Sequence, residues 1–280
     1  MNIRLISYPI AFLLLLSFNA QAQKFKQYSE IGPMIGTSYY IGDINPARQF
    51  FQSKLAFGLM YRKNVNRRFA WRFNALYGAI RGDDALSNNP FQLNRNLSFR
   101  SHVAEFSGVL EFNFLPYEVG DDAYKFTPFI FGGLAIFNHN PRAFLDGVYV
   151  PLQPLGTEGQ GTTAHPDRRP YSLTSVSLPF GVGIKWHFNN RIGFALEWGL
   201  RRTFTDYLDD VSKTYVSPLV LLAEKGEAAA ILADRSLVEP GITNVGRQRG
   251  NSKTKDWYSF AMLTITFKIT AKEEECAAYK

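Results

Sequence analysis

Asp206, Asp209 and Asp210 place three carboxylates within one short segment. Hard oxygen ligands so spaced can turn to one side of a tight turn and hold Ca²⁺, although the same cluster also caps helices and solvates loops. The four histidines, His102, His139, His165 and His187, stand on separate segments with no serine or carboxylate at a catalytic offset. HExxH, CxxC, GxSxG and the glycine-rich phosphate loop are all missing from the sequence. The chain is therefore expected to be no enzyme and to use no cofactor or metal. The remaining reactive group is Cys276, the single cysteine. In an oxidising compartment a lone cysteine is either a free thiol or one half of an intermolecular bridge.

The elements that must position these groups are most legible at residues 175–202. Val176, Leu178, Phe180, Val182, Ile184, Trp186 and Phe188 fall on one face of a first run, with Lys185 and His187 among small residues on the other. After Asn189-Asn190-Arg191, a second run sets Ile192, Phe194, Leu196, Trp198 and Leu200 against Gly193, Ala195, Glu197, Gly199 and Arg201. A strict period of two means a long antiparallel hairpin. Soluble strands average about five or six residues, whereas a tilted strand crossing a bilayer needs about nine to eleven. The apolar face is thus expected to meet lipid and the small and charged face to line a barrel.

Similar alternation predicts strands at 30–41, 55–61, 69–80, 102–114, 126–137 and 257–267. With the hairpin they make an all-β, eight-stranded, antiparallel up-and-down transmembrane barrel. The connections alternate in length. Short turns follow the second, fourth and sixth strands, and longer loops follow the others: a polar loop at 82–97, an irregular one at 138–174, and one at 203–256 with helical composition over 218–235. Short turns mark the periplasmic side of such barrels, so both chain ends, including a polar tail at 268–280, are expected there.

Composition agrees with export. Arg4, the apolar stretch 11–18 and Ala20-Gln21-Ala22 read as a signal peptide over 1–22, leaving a barrel domain over 23–280 in the cell outer membrane. Beyond it no run of about eighteen apolar residues could cross as a helix. An aromatic content of 15% suits interfacial girdles. The net charge of +7 is spread along the chain and gives no support to nucleic-acid binding.

The inward positions hold Glu30, Glu105, Glu111 and Glu197 with Arg62, Arg72, Lys185 and Arg201. Eight strands leave room for side chains but not for an aqueous channel, and unpaired buried charge is costly. A sealed, ion-paired lumen without diffusive transport is expected. Arg62, Lys63, Arg67 and Arg68 bracket the first tight turn and, with Cys276, mark a periplasmic rim where a partner could dock; anionic lipid headgroups are the alternative ligand of such a rim.

The segment Thr205-Asp206-Tyr207-Leu208-Asp209-Asp210-Val211-Ser212, directly after Glu197-Trp198-Gly199-Leu200-Arg201-Arg202, resembles the signature of the PorG-like outer-membrane barrel family of Bacteroidota. The opening Glu30-Ile31-Gly32 and the close Tyr40-Ile41-Gly42-Asp43 are also similar to that family's first strand. The resemblance implies a non-enzymatic component of type IX protein secretion, with gliding motility in some relatives. In that setting the barrel ties the membrane to a periplasmic ring-forming lipoprotein and its associated secretion proteins. The stretch 219–251 makes the chain longer than the family pattern. Cys276 is a candidate for a disulfide to such a partner. A surface-binding barrel acting through the loops at 138–174 and 203–256, and a lipid-modifying barrel, are the other readings.

Overall fold

The computed structural model describes residues 25–238 and 240–269; the expected signal segment and Cys276 lie outside them. Eight long strands form the wall: β1 (Tyr28–Ile41), β2 (Lys54–Asn64), β3 (Phe69–Asp83), β4 (Ser98–Asn113), β5 (Phe126–His139), β8 (Thr174–His187), β9 (Ile192–Thr203) and β10 (Trp257–Ile269). Each pairs antiparallel with its chain neighbours, and β10 returns to β1, with Tyr40 opposite Tyr258, so the barrel closes. At 11 to 16 residues the strands are all longer than a typical soluble strand.

Alternation sorts the side chains by face. Ile35, Phe57, Leu59, Trp71, Phe106, Ile136, Val182 and Leu196 stand exposed on the outside. Charged and aromatic groups fill the inside. On β5 three phenylalanines depart from apolar-out alternation: Phe129, Phe131 and Phe137 point inward and are buried. Inward glycines make their space, because a Cβ on Gly181, Gly183 or Gly199 would sit 2.6–2.7 Å from the rings of Phe129 or Phe131.

The loops at the β1–β2, β3–β4, β5–β8 and β9–β10 end are folded elements. Where an irregular loop was expected over 138–174, a hairpin forms from β6 (Arg142–Leu145) and β7 (Val148–Pro151), and β6 leans on β4 with Arg142 opposite Arg100. The polar loop at 82–97 contains a short helix, α1 (Pro90–Arg95). The helical stretch expected at 218–235 is two helices, α2 (Pro218–Lys225) and α3 (Glu227–Ala233). They are broken at Gly226, whose φ of +93° favours glycine and whose amide closes α2 by donating to the Leu221 carbonyl. Tyr39 is outward on β1 but covered: Phe50 packs on its ring, and its hydroxyl donates to Gln49 and accepts from the Trp198 indole.

One apolar cluster runs from the lumen into the loops, joining Met34, Tyr40, Phe137, Tyr258 and Phe260 to Ile44, Leu97, Leu208, Val211 and Leu232. The loops are therefore a cap continuous with the barrel core.

Candidate functional site

The lumen is built in layers. Near the short-turn end Glu30 accepts from Arg62 at 3.2 Å, Asn64 at 2.7 Å and Thr266 at 2.6 Å. Above it Glu111 is shared by three cations: Arg62 at 2.8 Å, Arg72 at 2.9 Å, and the Lys185 ammonium in direct contact. Arg72 also pairs with Glu197. Higher still, Arg201 and the Tyr258 hydroxyl donate to Glu105 at 3.1 and 3.0 Å. Aromatic rings insulate the cations, with Lys185 over Phe129, Arg72 over Phe131 and Arg201 over Phe260. Every one of these eight charged side chains is 3% exposed or less. Buried and paired with one another, these side chains plug the lumen.

Both mouths are covered. At the short-turn end residues 114–125 fold under the barrel: Tyr28 accepts from the Val119 amide, Lys268 donates to the Val119 carbonyl, and Tyr28, Tyr117 and Val119 pack together. Arg67, expected free for a partner, is held by Glu118 at 2.8 Å and stacks on Tyr124. Arg62 was expected at the rim as well as in the lumen. Its guanidinium is 1% exposed and bound on both sides by carboxylates, so it presents nothing to a partner. Arg68 is exposed and donates to the Phe114 carbonyl, and Lys63 is half-buried.

The acidic segment after β9 sits at the opposite mouth and is buried. Asp206 accepts from the Ser212 hydroxyl at 2.6 Å. Tyr207 stacks on Tyr171, 4.6 Å between centroids. Asp209 accepts from the Tyr40 hydroxyl at 2.5 Å and from the Val211 amide at 2.9 Å. Asp210 has a φ of +67°, which aspartate tolerates better than most residues, and accepts from Thr157 and Tyr171. The three carboxylates thus point to separate partners and do not form the Ca²⁺ cluster that their spacing allows. Among the described residues no three histidine, cysteine or acidic groups could hold a metal ion.

Two buried arginines tie the cap loops together. Arg95 on α1 binds Asp84 through two nitrogens at 2.7 and 2.9 Å and donates to the carbonyls of Asp43 and Arg249. Arg249 donates to the carbonyls of Ala233 and Asp210 and lies 3.2 Å from Glu158. Glu158 in turn accepts the Ser212 and Lys213 amides. Asp43 accepts the Asn251 amide. Sequence reasoning did not find Arg95, Glu158 or Arg249, which sit in loops without periodicity.

Burial leaves this cap with carboxyls that hold protons unusually well. Asp206 is pushed up to about 7 and Asp210 to about 6, chiefly by burial. Asp209 and Asp256 are raised too, by burial and then by neighbouring aspartates. An unfolded aspartate titrates near about 3.9. Between about pH 4 and pH 7 the folded cap therefore holds more protons than the unfolded segment, and its stability falls as pH rises through that window. Limited proteolysis at residues 204–256 is expected to be slower at pH 5 than at pH 8; a pH-independent cleavage rate would contradict this.

Closed strand pairing, an apolar exterior and an ion-paired interior define an eight-stranded antiparallel barrel of the outer-membrane type. The chain belongs to the family described as Domain of unknown function (DUF6089), which matches residues 6–217. That match contains β1 to β9 and the acidic segment, and ends before α2. Among curated proteins no sequence matches the chain. Solved structures with a similar course include OprG of Pseudomonas aeruginosa, at 12% identity and a TM-score of 0.42, covering 90% of this chain and 100% of that one. Ail of Yersinia pestis, in complex with the heparin analogue sucrose octasulfate, has 8% identity and a TM-score of 0.40 over 88% of this chain and 100% of that one. Neisserial surface protein A has 7% identity and a TM-score of 0.39 over 87% and 97%.

Proposed function

We propose that this chain is a non-conducting, non-enzymatic barrel of the outer membrane that anchors a periplasmic protein assembly, and that the assembly is the ring-forming lipoprotein complex of type IX secretion. The observation that carries the first half is the filled lumen, in which eight buried, paired charges and the rings packed on them leave no path for solute and both mouths are covered. A barrel closed in this way acts through its surfaces. The second half rests on the resemblance of residues 205–212 and 40–43 to the PorG-like family. Because those residues are buried in the cap, their role in this reading is to fold the cap, and partner contact falls to the other end. There Lys63 and Arg68 are the groups at the surface, and Cys276, outside the described residues, is the proposed covalent contact.

The test is purification of tagged protein from native outer membranes on reducing and non-reducing gels, beside Cys276→Ser and beside a deletion strain scored for cargo secretion. Anchoring expects a periplasmic lipoprotein to co-purify, a heavier non-reduced band that Cys276→Ser removes, and loss of secretion on deletion. Secretion at wild-type level with no co-purifying periplasmic protein would overturn it.

A further inference from the structure

Three arginines stand side by side on the outer wall at the capped end. Arg81 on β3 is directly opposite Arg100 on β4, and Arg100 is opposite Arg142 on β6. Like charges directly across a ladder repel and destabilise the sheet. No carboxylate pairs with any of the three among the described residues. They line a pocket of about 340 Å³ between the top of β3 and β4 and the β6–β7 hairpin. Its walls carry further unspent hydrogen-bonding groups. Arg81 Nε, Arg142 Nε and both polar atoms of the Gln52 side chain are buried without a partner. Gln52 is also held at a φ of +54°, a conformation uncommon for a non-glycine residue. The single acid on the wall, Asp83, accepts the Ala85 amide.

Position identifies the anion. Below Arg81 on the same outer face of β3 come Tyr77, Phe73 and Trp71, and below Arg100 on β4 come Phe106 and Leu110, all exposed. At about 3.4 Å per residue along a strand, the guanidinium row sits roughly one headgroup layer above an apolar belt. The hairpin beside it offers Phe144 and Tyr149, with Arg100 stacked over the Tyr149 ring. Aromatic side chains next to a cationic row are what an interfacial site for an anionic lipid presents.

We propose that the Arg81–Arg100–Arg142 pocket binds the phosphate group of a membrane lipid at the capped rim of the barrel. The proposal rests on the membrane placement above and on no assumption about secretion. Guanidinium groups suit it because their planar forks engage phosphate oxygens in pairs.

Protein refolded in detergent is loaded with phosphatidic acid or with neutral diacylglycerol, and retained lipid is measured by native mass spectrometry. The comparison variants are Arg81→Gln/Arg100→Gln/Arg142→Gln and a charge-matched control, Arg169→Gln/Lys253→Gln/Lys255→Gln, on the exposed cap. Wild type and control are expected to retain phosphatidic acid over diacylglycerol, with the pocket variant at least about tenfold weaker. Millimolar inorganic phosphate is not expected to displace the lipid; if phosphate alone competes fully, the lipid source is wrong. Insertion into vesicles, followed by heat-modifiable gel mobility, reads the membrane placement separately. Wild type that inserts but holds phosphatidic acid no better than the pocket variant overturns the proposal alone. Failure to insert overturns the placement and the proposal with it.

Discussion

Glu111→Ala is expected to cost at least about 3–5 kcal/mol, the range for removing one partner of a buried ion pair, and to leave much of the protein unable to refold. Glu111 is the hub of the lumen, touching Arg62, Arg72 and Lys185 together. Arg62 would keep Glu30 and Arg72 would keep Glu197. Lys185 would keep only the Asn113 side-chain oxygen at 3.0 Å and the face of Phe129. Three buried cations would then share two carboxylates. The matched control is Glu118→Ala. Its Arg67 pair is partly solvated, with side chains 20% and 18% exposed, and such pairs contribute about 0–1 kcal/mol. Urea unfolding in vesicles, read by heat-modifiable mobility, separates the two. Equal midpoints for Glu111→Ala and Glu118→Ala would show that the lumen network is not what holds the barrel shut.

The lumen was readable because a strand's period of two converts sequence position into face, so Glu30, Arg72, Glu105, Lys185, Glu197 and Arg201 could be assigned inward one by one. Arg62 shows where two rules compete. Its place beside a tight turn suggests the rim, but its parity on β2 points it inward, and with Glu30 on adjacent β1 and Glu111 on β4, one strand further round the wall, the pairing outweighs proximity to the turn. The inward phenylalanines of β5 run against the usual alternation, yet a signal existed: Gly181, Gly183 and Gly199 mark space on the facing strands. The cap was not readable. Its contacts join residues more than a hundred positions apart, such as Arg95 with Arg249 and Tyr40 with Asp209, and no local periodicity encodes which loops meet. Asp206, Asp209 and Asp210 were noticeable as a cluster, but a cluster of carboxylates says nothing about whether its partners are a cation, a hydroxyl or a backbone amide.

Arg249→Met is expected to open the cap while leaving the barrel closed. Arg249 is 2% exposed and binds three separate pieces of the cap: the end of α3 at Ala233, the acidic segment at Asp210, and Glu158 in the loop after β7. Methionine fills much of the volume but supplies no donor, so Glu158 and Asp210 remain buried with amide and hydroxyl partners only. A local loss of about 3 kcal/mol, the lower end for an uncompensated buried charge, raises the open population about 100-fold. Limited proteolysis should then cut within 204–256 that much faster, and the heat-modifiable band of the closed barrel should persist, because the lumen network shares no hydrogen bond with Arg249. Acid provides an internal check on the cause. With the guanidinium gone, only the Thr157 and Tyr171 hydroxyls oppose the burial that already lifts Asp210 to about 6, and protonation removes the charge that the variant cannot neutralise. The gap between Arg249→Met and wild type should therefore narrow as pH falls from 8 to 5. If it stays constant across that range, lost packing rather than lost charge compensation explains the opening.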